Sequence, residues 1–155
     1  MLYIVPILKV LVLERNKFKS MTTITEDYVS FETAKLLKKK GLDADISSPH
    51  AVYSLNDGTF INLLQFIGNT SFINYNLEKC IVAPTLQMTM KWLREMHGLF
   101  ISIGNDDLDY NWQIFDIENR TEDLDPTCLT DSYAGHEKYE QACEAAIKYC
   151  LENLI

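Results

Sequence analysis

From Ala83 to His97 the chain reads APTLQMTMKWLREMH, and this run leaves little choice of local structure. Pro84 suits a first helical turn, where a missing N–H costs nothing. Leu86, Met90, Leu93 and His97 recur at helical spacing along one stripe, and Met88, Trp92 and Met96 along its neighbour. Together they predict a helix with a broad buried face and with Lys91, Arg94 and Glu95 on its solvated side. Gly98 supplies the stop. So wide an apolar face must be covered by another layer, which the following residues have to supply.

They do so in two forms. Leu99–Ile103 and Tyr110–Ile117 alternate, which predicts two strands joined through Gly104–Asp109. Leu99, Ile101 and Ile103 fall on one face of the first strand, and in the second Tyr110, Trp112 and Ile114 fall on one face with Phe115 and Ile117 on the other. Residues 119–135 are polar, contain Pro126 and lack a period, so they predict a long surface loop or a poor edge strand. A closing helix follows, with Tyr139, Ala142, Cys143, Ala146, Ile147, Cys150 and Leu154 on one face. Upstream, Ser30 can cap a helix from Phe31 to about Lys40 that Gly41 ends. Ala51–Leu55 and Thr59–Leu63 flank Asn56-Asp57-Gly58, a hairpin signal. Residues 64–75 fit either a second pair of short strands or an irregular loop. The expected fold class is α+β, a small two-layer sandwich with antiparallel hairpins on two or three helices.

At 155 residues the chain has room for one domain that buries roughly two thirds of its unfolded surface. The expected domain is 21–155, made of an N-terminal helix and hairpin (21–76) and a helix–hairpin–helix core (83–155). Residues 1–13, MLYIVPILKVLVL, are shorter than the about 20 residues a membrane span needs. They also lack the basic start and small-residue cleavage site of a secretory signal. They fit an extra strand or an upstream extension of the reading frame; the extension is preferred, with the working start at Met21. Cys80, Cys128, Cys143 and Cys150 form no C-x-x-C pair, which fits reduced thiols in a cytoplasmic protein.

Charge is divided unevenly. Residues 1–100 carry eleven Lys/Arg against nine Asp/Glu, whereas residues 101–155 carry three against thirteen, a balance of -10. Such a half repels phosphate and attracts cations or basic protein surfaces. Asp106, Asp107 and Asp109 in the hairpin connection, with Glu122, Asp123 and Asp125 in the loop after it, are the candidate partner-binding residues. Lys38–Lys40 end a helix, where the dipole favours them as an ordinary charged turn; contact with phosphate is the other use of the Lys35–Lys40 helix.

Catalytic and metal signatures are weak. Asp107, Asp109, Asn111, Ile114 and Glu118 match positions 1, 3, 5, 8 and 12 of a calcium-binding EF-hand loop. Trp112 stands where that loop needs Gly for its sharp turn, and the flanks predict strands instead of helices, so a hairpin turn is expected here. His50, His97 and His136 lie far apart, and no nucleophile elbow or P-loop is present. No catalytic residue, cofactor or metal is assigned.

Helix–strand–strand–(strand)–helix order is similar to double-stranded RNA-binding domains and to the partial version of that fold in HicB-type antitoxins. Asp131, His136, Glu137, Lys138 and Glu140 stand near the start of the last helix, where such domains place Lys/Arg for phosphate, so nucleic-acid binding by this half is disfavoured electrostatically. Three segments, APTLQMTMKWLREMH (83–97), YEQACEAAIKYCLENLI (139–155) and SFETAKLLKKKG (30–41), resemble a family of small uncharacterised proteins of Bacteroides-type bacteria, their prophages and mobile elements. The resemblance implies a cytosolic, mobile-element context and brings no catalytic residues. Residues 63–76 depart from it by being longer and more apolar. The expected function is a non-enzymatic protein-binding or regulatory module whose partner has a basic surface. The alternatives are a small hydrolase or nuclease with a spatially assembled His/acid site, and a nucleic-acid binder using the Lys35–Lys40 helix.

Overall fold

The structure is a computed structural model, and it describes residues 26–42, 50–63, 77–120, 125–130 and 133–155. The expectations for residues 1–20 and 64–75 fall outside the described residues.

Helix α1 spans Phe31–Lys39. The Ser30 hydroxyl accepts the Thr33 N–H at its start, and Gly41 follows its end with φ +95. Both are the roles the sequence assigns. A small antiparallel sheet has the order β2-β1-β3, from β1 (Ala51–Ser54), β2 (Phe60–Asn62) and β3 (Cys80–Val82). Gly58, at φ +71, turns β1 into β2. β3, which no periodic pattern announced, adds to the other side of β1 and pairs Tyr53 with Ile81.

Helix α2 spans Leu86–His97, two residues later than Pro84 suggests. Thr85 is the reason, since its side chain accepts the Met88 N–H as the N-cap. Pro84 stays outside the helix and its carbonyl accepts the Val29 N–H. Gly98 ends the helix in the left-handed conformation, φ 62. The buried face is narrower than expected. Leu86, Thr89, Trp92 and Leu93 are buried, whereas Met88 and Met96 are 40% and 61% exposed. Thr89 can be buried because its hydroxyl donates to the Thr85 carbonyl.

The main sheet is one long hairpin with a broken flank. β4 (Leu99–Asp106) and β5 (Asp109–Arg120) pair in continuous antiparallel register, Ile101 with Ile114 and Ile103 with Trp112. β6 (Pro126–Cys128) and β7 (Tyr133–His136) then occupy successive stretches of the other side of β5, both with register shifts. Within residues 119–135, residues 126–128 and 133–135 are thus the poor edge strand, in two pieces. Helix α3 (Tyr139–Asn153) lies over β4, β5 and β7.

Val29, Leu37, Ile81, Leu93, Ile114 and Ile147 join α1, β3, α2, the hairpin and α3 in one core. Ala142, Cys143, Ala146 and Cys150 are fully buried, so small side chains let α3 approach the sheet closely. Leu151 joins them, in place of the half-buried Leu154. The architecture is α+β: three helices and two antiparallel sheets among the described residues.

Candidate interaction surface

Asp106 and Asp109 close the β4–β5 hairpin as a directly opposed pair, leaving a loop of only Asp107 and Leu108. The six-residue connection predicted from Gly104 to Asp109 is therefore mostly strand. Asp107 takes φ 44, a conformation Asp tolerates better than most residues, and the Leu108 N–H turns back to the Asp106 carbonyl. Register fixes the faces. Even-numbered β4 residues lie on the sheet's outer face with odd-numbered β5 residues, so Asp106, Asp109 and Asn111 share it. Asn111 Nδ2 donates to Asp106 Oδ2 at 2.8 Å. Like charges directly opposite weaken a hairpin, and among the described residues no Lys or Arg pairs with these three carboxylates. Leu108 stands between them, 89% exposed.

Of the predicted site residues that are described, Asp106, Asp107 and Asp109 lie together and Asp125 lies apart from them. Glu122 and Asp123 fall outside the described residues. Asp125 immediately precedes β6, whose Pro126 pairs with Arg120 at the far end of β5. At about 3.3 Å per residue, the length of β5 separates it from the tip by roughly 35 Å. The tip and Asp125 therefore lie at opposite ends of β5. Asp116 is structural: its carboxylate accepts the backbone N–H groups of Asn119 and Glu118 and the Asn119 side-chain amide. These bonds, the Asn119 backbone N–H foremost, hold its carboxyl below the usual carboxylate range.

The EF-hand match is extended backbone. Asp107 sits in the turn, and Asp109–Glu118 run along β5, where side chains alternate between faces instead of encircling a point. Among the described residues no group of three His, Cys, Asp or Glu side chains could hold a metal ion.

The three histidines belong to three places. His50 immediately precedes β1. His97 ends α2 edge-on to Trp92, with rings 4.5 Å apart. His136 ends β7, and its Nε2 accepts the Trp112 indole N–H at 3.3 Å. Among the described residues none of the three has a carboxylate hydrogen-bonded to its ring. Burial pushes the Cys150 thiol up to about 12 and raises Cys143 too, so neither is a ready nucleophile. In the basic helix, Lys35 pairs with Glu32 at 2.7 Å and lies over the Phe31 ring, and Lys40 donates to the Ile155 carbonyl.

A groove of about 450 Å³, wide open to solvent, runs between the start of α1 and α3. Asp27, Tyr28, Leu86, Glu140, Glu144 and Lys148 line it, and no histidine or cysteine does. Glu144 is committed structurally. Its Oε1 accepts the Ser30 N–H at 3.1 Å, the Ser30 hydroxyl at 2.6 Å and the Thr33 hydroxyl, tying α3 to the N-terminus of α1. Sequence reasoning passed over Glu144 and Leu108. Glu144 carries no local signal, because its partners are more than 110 residues away. Leu108, an apolar residue among four acids and amides (Asn105–Asp109), was visible as an exception.

Comparison with known proteins finds no matching family model, no matching curated protein and no matching solved structure.

Proposed function

We propose that this chain is a non-enzymatic, cytoplasmic protein-binding module of mobile-element origin, and that the β4–β5 hairpin tip is its contact surface. The observation that carries the reading is Leu108, 89% exposed and framed by Asp106, Asp107 and Asp109. A leucine held in water by three carboxylates contributes nothing to the core, and the opposed aspartates weaken the hairpin that displays it. Against a partner with a shallow apolar pocket rimmed by Lys or Arg, both features become favourable: the leucine is buried and the carboxylates find cations. The net balance of -10 in residues 101–155 would steer such a partner and discourage nucleic acid.

The test is affinity capture from host lysate with quantitative mass spectrometry. Wild-type protein is compared with Leu108→Ser and with the triple variant Asp106→Asn, Asp107→Asn, Asp109→Asn. Capture of a specific protein should fall in both variants, and wild-type capture should weaken as salt rises. Partners retained equally by both variants, or a phosphodiesterase or hydrolase activity in the purified chain, would reject the reading.

A further inference from the structure

The main sheet has two unlike edges. On one side β6 and β7 are three and four residues long, separated, shifted in register and opened by Pro126. That is how natural sheets blunt an edge. On the other side β4 is eight residues long, in unbroken register, with no Pro, Lys or bulge. Among the described residues no strand pairs with its outer side.

Hydrogen bonding settles which groups face outward. The Ile117 N–H donates to the Gly98 carbonyl, so Gly98, Phe100, Ser102, Gly104 and Asp106 bond to β5. The backbone N–H and C=O groups of Leu99, Ile101, Ile103 and Asn105 therefore point away from the sheet, while their side chains lie on its inner face.

We infer that β4 is the docking edge for a second copy of this chain, with the two β4 strands antiparallel about a twofold axis at Ser102. This register is self-complementary. Leu99 meets Asn105 of the other copy and Ile101 meets Ile103, and these outward-facing pairs together form about eight main-chain hydrogen bonds. Phe100, 41% exposed, falls opposite Gly104, where a large ring covers a residue with no side chain. Moving the axis to Ile101 or Ile103 leaves three outward-facing pairs in place of four. Charge selects the direction as well. Leu99–Asn105 is uncharged, and antiparallel pairing sends the two acidic tips to opposite ends, with Asp106 facing Gly98. Parallel pairing would bring the six tip carboxylates together. The product is one continuous sheet with an acidic, leucine-bearing tip at each end. The pairing does not depend on what those tips bind.

The full-length chain is tested by sedimentation equilibrium and by crosslinking. The expected result is a dimer that Ser102→Glu weakens by about tenfold or more, because it sets two carboxylates directly opposite each other on the exposed face. Ser102 pairs with itself at a Cα separation of about 4.5 Å, within disulfide range. With Cys128→Ser removing the exposed thiol, Ser102→Cys should give an interchain disulfide on treatment with oxidised glutathione, which leaves as two reduced glutathiones. Phe100→Cys in the same background should not. A monomer at high micromolar concentration, a dimer indifferent to Ser102→Glu, or equal crosslinking at positions 100 and 102 would overturn the inference. Circular dichroism of each variant confirms that it is folded.

Discussion

Removing the Glu144 carboxylate should unfasten α1 from α3 without touching the apolar core. Its Oε1 takes three donors from the α1 N-terminus, two from Ser30 and one from Thr33. Thr33 is fully buried, so its hydroxyl cannot turn to water instead, although Ser30 Oγ at 3.1 Å remains within reach. A hydrogen bond to a charged group contributes about 1.5–3 kcal/mol net. Three donors sharing one oxygen contribute less than their sum, and Glu144 is only half-buried, which screens it further. For Glu144→Ala a loss of about 3 kcal/mol is therefore expected. At ~2–4 °C per kcal/mol for a chain of this size, the melting temperature should fall by ~6–12 °C. Glu144→Gln keeps an acceptor and loses the charge, so it should cost about 1 kcal/mol. The decisive assay is a double-mutant cycle by urea denaturation. Thr33→Val preserves shape and removes one donor, and should cost about 1 kcal/mol in the wild type but much less beside Glu144→Ala. Equal costs of Thr33→Val in both backgrounds would show that the clamp does not hold the helices together.

Asp116 predicts a pH signature. Its carboxyl is held below the usual range by the N–H groups of Asn119 and Glu118, so its stabilising contribution is present above the unfolded pKa of about 3.9 and is lost as pH falls through the folded value. The melting temperature of Asp116→Ala should lie below wild type at neutral pH, and the gap should close below about pH 4; a gap independent of pH would refute the assignment. Thiol chemistry should follow burial. At pH 8 iodoacetamide should modify Cys128, which is exposed, and spare Cys80, Cys143 and Cys150 until urea unfolds the chain. Native labelling of Cys150 ahead of Cys128, read by peptide mass spectrometry, would contradict the packing of α3.

The elements legible in the sequence are those whose signal is local. Ser30 and Gly41 bracket α1, Gly98 stops α2, and alternation places Leu99, Ile101, Ile103, Trp112 and Ile114 on the inner face of the hairpin. The misreadings share a cause as well. Pro84 suits a first helical turn by its fixed backbone angle, yet the Thr85 hydroxyl cap, which satisfies a donor, is what sets the start. Met88 and Met96 look like core by period, but of that stripe Trp92 is buried while both methionines stay exposed. β3 is three residues long and draws its strand character from pairing with β1, so no period could announce it.

The acidic site shows the same limit more sharply. Composition placed thirteen acids in the last third of the chain and suggested one surface, but register divides them. Asp106, Asp107 and Asp109 gather at one end of β5 because a two-residue loop opposes them. Asp116 is spent on a turn at the other end, and Asp125 lies beyond it. A count of charges cannot distinguish a carboxylate that accepts backbone N–H groups from one left facing its own like, because that difference is set by pairing partners. Pairing sets apart the tip, where Asp106 accepts the Asn111 side-chain amide and, with Asp107 and Asp109, surrounds an exposed leucine. A basic and apolar partner surface, as proposed, would turn both features to advantage. The like charges opposed at the tip are thus the physical ground on which the proposed reading assigns it to binding instead of to the fold.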